Sequence, residues 1–153
     1  MFRVSGLDAK PFTHLYGLDD DVLAWEGAIR MTADARPGFP CRVTLEDAEP
    51  GEKVLLLNYE HQSANTPFRS RHAIFVREGA TGRVETDHLP EQLASRLLSL
   101  RAFDAAGMMT DADVVEGREA PPVIERLLAA SGTAYLHVHY ARRGCYAARI
   151  DRL

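Results

Sequence analysis

Two cysteines, one tryptophan and only two lysines are the scarcest features of this 153-residue chain, and each shortage narrows what it can be. Cys41 and Cys145 are far apart, and no Cys-x-x-Cys occurs, so both read as free thiols rather than as a disulfide or a metal knuckle. No apolar run approaches a membrane span, and Met1 to Gly6 lacks the apolar core of a signal peptide, so the expected location is the cytoplasm, with no membrane partner. Of 18 basic residues only Lys10 and Lys53 are lysine, and the formal charge is -4, which argues against a nucleic-acid partner. Gly-x-Gly-x-x-Gly, phosphate-loop, Gly-x-Ser-x-Gly and His-Glu-x-x-His sequences are all missing. No cofactor is therefore assigned. Asp111-x-Asp113 lacks the glycine and glutamate of a calcium loop and reads as a solvated face.

What is present is enough apolar residue, 46%, to build one sizeable core at a length natural for one domain. With no repeat, low-complexity tract or long linker, residues 1–153 read as a single domain. Phe2 and Val4 suggest a first strand. Asp19 caps a helix whose first turn is acidic and which Gly27 closes. Ile29, Met31 and Ala33 alternate as a strand, and Cys41, Val43 and Leu45 as another. Val54-Leu55-Leu56-Leu57 predicts a central strand covered on both faces, with His72 to Arg77 its antiparallel neighbour. Pro90 introduces a helix to about Arg96, Leu97 to Phe103 and Met108 to Val115 read as strands, and Pro121-Pro122 opens a last helix with an apolar stripe. Short connections between many strands imply an α+β fold: a mainly antiparallel sheet of roughly six to eight strands with two or three helices.

The chain ends in a predicted hairpin in which Leu136, Val138 and Tyr140 alternate with Tyr135, His137 and His139. A three-residue loop, Arg142-Arg143-Gly144, pairs Tyr140 with Tyr146 and gathers Leu136, Val138, Tyr140, Tyr146, Ala148 and Ile150 on one face. His137, His139, Cys145, Ala147, Arg149 and Asp151 then share the other face.

Four blocks occur together in order: Arg36-Pro37-Gly38-Phe39-Pro40-Cys41-Arg42, Leu56 to Gln62, Ser70 to Glu78, and Arg143-Gly144-Cys145. In these the chain resembles a family of bacterial proteins known only as a domain of unknown function, number 1203. The resemblance implies a single-domain bacterial protein and supplies no activity, cofactor or catalytic residue.

Residue chemistry offers three constellations. His137-x-His139 puts two imidazoles on one strand face, able to chelate a metal with His61, His72 or Cys145, or to fill a polar surface by hydrogen bonding; no metal is assigned. Cys145 beside His139 could act as a nucleophile, and His72 is the further candidate for catalysis; the opposing role for either cysteine is that of a small hydrophobe. Arg36, Tyr59, His61, His72 and Arg143, with Arg42, Arg69, Arg71, Arg101 and Arg149 in reserve, could line a pocket whose guanidinium forks hold a small anionic ligand. That pocket is the leading expectation for function, and the sequence leaves open whether it binds only or also catalyses. The rival is a non-catalytic interaction module, a homodimer pairing through the edge of the C-terminal hairpin.

Overall fold

Where apolar residues alternate between turn signals, strands form, and the computed structural model describes all 153 residues as nine strands and three helices. The first strand, β1 (Phe2–Ser5), leads through an irregular segment to α1 (Asp20–Trp25), which has the acidic first turn expected and ends where Gly27 takes φ 74°. Then β2 (Ala28–Thr32), β3 (Lys53–Gln62) and β4 (Ser70–Arg77) form an antiparallel three-stranded sheet in that order. The two-residue β5 (Glu85–Thr86), beyond the six to eight strands expected, precedes α2 (Glu91–Ala94). It is followed by β6 (Leu97–Phe103), β7 (Met109–Glu116), α3 (Ala120–Ala129), β8 (Tyr135–Tyr140) and β9 (Tyr146–Arg152). These give a second antiparallel sheet, in the order β5-β1-β9-β8-β6-β7.

Each sheet buries its own core. In the six-stranded sheet, Leu98, Leu100, Leu136, Val138 and Ile150 point to the face covered by Ile124, Leu127 and Leu128 of α3. Burying each such side chain contributes about 1.5–3 kcal/mol. In the small sheet, Leu55, Leu57, Ile74 and Val76 pack against Phe12, Leu15 and Leu23 of the N-terminal segment. Its other face puts Val54 with Ala33, Ala48, Phe39 and Phe75. So β3 is covered on both sides, as its unbroken apolar run predicts. No helix is long and apolar enough to cross a membrane.

Three expectations are corrected. Cys41 to Leu45 is not a strand: Leu45 takes φ 54°, its N–H donates to the Cys41 carbonyl, and Arg42 is as buried as Cys41 and Val43. Arg42 is buried together with both of its apolar neighbours, so the alternation there does not separate a core face from a solvent face. The helix begun at Pro90 stops at Ala94, short of Arg96. The hairpin is not the edge of its sheet: β8 lies between β6 and β9, and β1 pairs with the Arg149 to Arg152 half of β9. The sheet's edges are β5 and β7.

The hairpin register departs from expectation in one place, with consequences for the site. Leu136↔Ile150, His137↔Arg149 and Val138↔Ala148 pair as expected, but His139 then pairs with Tyr146, so Ala147 is an extra residue on β9. Tyr140 N–H donates to the Cys145 carbonyl across the turn Ala141–Gly144, in which Gly144 supplies the left-handed conformation at φ 77°. A bulge reverses the facing of residues on one side of it. Cys145 joins the core near Tyr140, and Tyr146 joins the histidines.

Candidate functional site

Three imidazoles meet where the end of β3 crosses the open face of the larger sheet. His137 and His139 stand two apart on β8, opposite Arg149 and Tyr146 of β9 and opposite Arg101 and Ser99 of β6. His61 comes from β3, at a second bulge: Glu60 pairs with Arg71 and Gln62 with Ser70, leaving His61 as the extra residue. Bulges re-aim side chains. Here two independent bulges supply His61 and Tyr146 to one spot.

One ring nitrogen from each of His61, His137 and His139 lies within 4.8 Å of the others. The rings of His61 and His139 are 4.9 Å apart, edge to face, and Tyr146 touches all three, stacked on His61 at 5.5 Å and edge-on to His137 at 5.1 Å and His139 at 5.9 Å. His137 is 5% exposed and His139 1%, while His61 is half-buried.

The hydrogen bonds fix part of the chemistry. His139 Nδ1 lies 2.9 Å from the Gly144 carbonyl, which can only accept, so Nδ1 carries the proton and Nε2 presents a lone pair. The Nδ1 atoms of His61 and His137 are buried without a partner. Such atoms cost about 1–3 kcal/mol each unless something meets them. Burial first, then Arg101 and His72, pushes His61 down to about 4, and burial, against the Gly144 hydrogen bond and with Arg101, His61 and His137, pushes His139 down to about 3. His137 is likewise pushed to about 3 by burial first, then by His61, Arg149 and Arg101. All three rings are neutral bases at neutral pH.

Arg149 is neutralised by Asp151, 2.7 Å away, and lies over the Tyr135 ring at 4.0 Å. Arg101 has no carboxylate: its Nε meets Ser99 Oγ at 3.3 Å and its Nη1 lies 3.5 Å from His139 Nε2, the limit of a hydrogen bond. Burial pulls its pKa down.

The remaining candidates lie elsewhere. His72 is exposed on β4 opposite Tyr59, and Tyr59 is half-buried against the Phe12 ring at 5.7 Å. Arg36 is exposed and paired with Glu49. Arg143 is exposed in the hairpin turn, on the side of Cys145. Cys145 accepts from Arg42 Nη2 at 3.0 Å and packs in the core with Tyr140, while His139 lies in the imidazole cluster and His72 is exposed on β4. Both cysteines are free and buried. Of the five ligand-pocket residues expected, only His61 reaches the imidazole cluster. Tyr146 was missed there because nothing in the sequence marks the extra residue at Ala147.

No curated protein and no solved structure matches the chain. A family model, that of a protein of unknown function (DUF1203), matches residues 38–152, a span that takes in His61, Arg101 and the whole terminal hairpin. The chain belongs to the DUF1203 family.

Proposed function

We propose that the protein binds one divalent first-row transition metal ion, zinc-like in its preference, through His61, His137 and His139, and presents the ion's open positions to a small molecule. The observation that carries this reading is the convergence of three neutral imidazoles from two sheets, one with its tautomer set by a backbone carbonyl. A metal needs a lone pair from a deprotonated nitrogen, and it commonly uses histidines whose other N–H is anchored in this way. Tetrahedral coordination at about 2.0–2.1 Å sets ligand nitrogens roughly 3.3 Å apart, so ring rotation must draw the present set inward. His61, on a bulge and half-buried, is the ring with room to move. Three protein ligands leave at least one position for water or substrate, the arrangement of catalytic rather than structural zinc. The two free, buried thiols fit the reducing interior of a bacterial cytoplasm, which is where we assign the protein.

The test is a titration of chelator-stripped protein with Co²⁺, followed by d–d absorption, and with Zn²⁺ by calorimetry. One equivalent should bind with micromolar or tighter affinity, and His61→Ala and His139→Ala should each weaken it by at least about 100-fold. His61→Ala, at a half-buried position, should keep its thermal midpoint within a few degrees. Absence of saturable binding, or binding unchanged in both variants, rejects the reading.

A further inference from the structure

Away from the imidazoles, on the side of the hairpin turn where Cys145 and Arg143 sit, the protein contains a cavity of about 550 Å³. That volume is typical of small-molecule sites. Its walls include Pro37-Gly38-Phe39-Pro40 and Arg142-Arg143, with Phe75, Arg96 and Tyr140.

The apolar wall is rigid. Phe39, held between Pro37 and Pro40, packs on Phe75 with ring centroids 5.3 Å apart. Across from them, the Tyr140 ring lies against the guanidiniums of Arg42 at 5.0 Å and Arg96 at 5.1 Å, and its hydroxyl donates to Gln92 Oε1 at 2.7 Å. A flat surface fixed in this way accepts an apolar body without having to order itself first.

The charge is lopsided. Four arginines line the cavity, Arg42, Arg96, Arg142 and Arg143, against one carboxylate, Glu116, in a chain whose net charge is -4. Only Arg96 has an acid of its own, Asp47 at 2.7 Å. Arg42 is 1% exposed and satisfies its donors on the Pro40 and Tyr146 carbonyls and on Cys145 Sγ, with no carboxylate to balance it. Arg142 and Arg143 are exposed and make no ion pair or side-chain hydrogen bond. A positive field concentrated in a concave, partly apolar site selects anions and orients them.

We propose that this cavity is a second binding site, separate from the imidazole cluster, for a small organic anion with an aromatic or similarly flat apolar body. The body lies against Phe39, Phe75 and Tyr140, and the oxyanion head, a carboxylate, sulfonate or phosphate ester, is met by the Arg142 and Arg143 forks.

The experiment uses 8-anilinonaphthalene-1-sulfonate as a fluorescent probe on the folded, full-length protein, with 1-naphthoate, phenyl phosphate, inorganic phosphate and 1-naphthalenemethanol as competitors. One equivalent of probe should bind and be displaced by 1-naphthoate and phenyl phosphate. The neutral alcohol and inorganic phosphate, each carrying half of the recognised chemistry, should compete at least about tenfold more weakly. Arg142→Ala/Arg143→Ala alters exposed turn positions, so it should keep the parent's thermal midpoint while losing about tenfold in affinity and most of the salt dependence. His61→Ala should bind the probe as the parent does. The proposal is overturned if the double-arginine variant binds as tightly as the parent, if the neutral alcohol competes as well as the naphthoate, or if no saturable site is found.

Discussion

Acidification should destabilise the metal-free protein through two buried imidazoles, and the size of the effect follows from their surroundings. His137 and His139 are almost fully buried, and burial lowers both to about 3. In the unfolded chain each returns to about 6.5. The folded form therefore refuses protons that the unfolded form accepts, so stability is complete above pH 6.5 and falls as the pH drops toward 3. At pH 5 the unfolded state has bound most of one proton per histidine and the folded state almost none, a difference of about 2 kcal/mol each. Together they cost about 4 kcal/mol, much of the 5–15 kcal/mol that holds a typical domain together. The assay is urea unfolding of chelator-treated protein at pH 8 and pH 5, followed by far-UV circular dichroism. His137→Phe keeps a ring against Phe103 and Tyr135, which His137 meets at 5.1 and 5.2 Å, and removes one titrating group. The variant's loss between the two pH values should be about 2 kcal/mol smaller than the parent's. Carboxylates titrating over the same range act equally on both proteins and cancel. Equal losses in parent and variant would mean that His137 protonates freely in the folded state, and the neutral-imidazole argument would fall.

Two further outcomes follow from the arginines. Arg101 Nη1 stands 3.5 Å from His139 Nε2, so a cation bound there meets a guanidinium roughly 5 Å away, a repulsion of at least about 1–2 kcal/mol. Arg101→Gln should therefore tighten Co²⁺ binding by about tenfold at low salt, and unchanged or weaker binding would place the ion elsewhere. Arg42→Met keeps most of the side chain's volume but deprives the Pro40 and Tyr146 carbonyls of their donor. It should cost about 2–5 kcal/mol, a fall of roughly 5–15 °C in thermal midpoint, and a loss below 1 kcal/mol would show that the guanidinium is not the joint between these segments.

The contrast between what the sequence conveys and what it hides comes down to range. Local physics wrote the elements plainly: Pro121 and Pro122 open α3, the Val54 to Leu57 run becomes the doubly covered β3, and Gly144 turns the hairpin left-handed. Strand partners are chosen at long range, so the division into two sheets, with β1 drawn onto β9, had no local signature. Cys41 to Leu45 alternates like a strand because a turn whose Cys41, Arg42, Val43 and Leu45 are all buried has no reason to avoid apolar residues.

The site divides along the same line. The spacing His137-x-His139 put two imidazoles on one face, which needs only the pleat, but choosing His61 over His72 or Cys145 required two bulges. Tyr146 and Cys145 can each serve on a core or a polar face, so composition favoured a register without the extra residue and could not detect that Ala147 is one. An aromatic and a small thiol exchange faces there at little cost in burial, since both remain buried. The exchange decides the chemistry: with the opposite register a thiol would stand among the imidazoles, and with this one a phenol does, leaving three neutral nitrogens as the only strong donors. A Co²⁺ complex at this site should for that reason lack the intense near-ultraviolet band of a thiolate ligand, and its presence would reinstate Cys145 as a ligand.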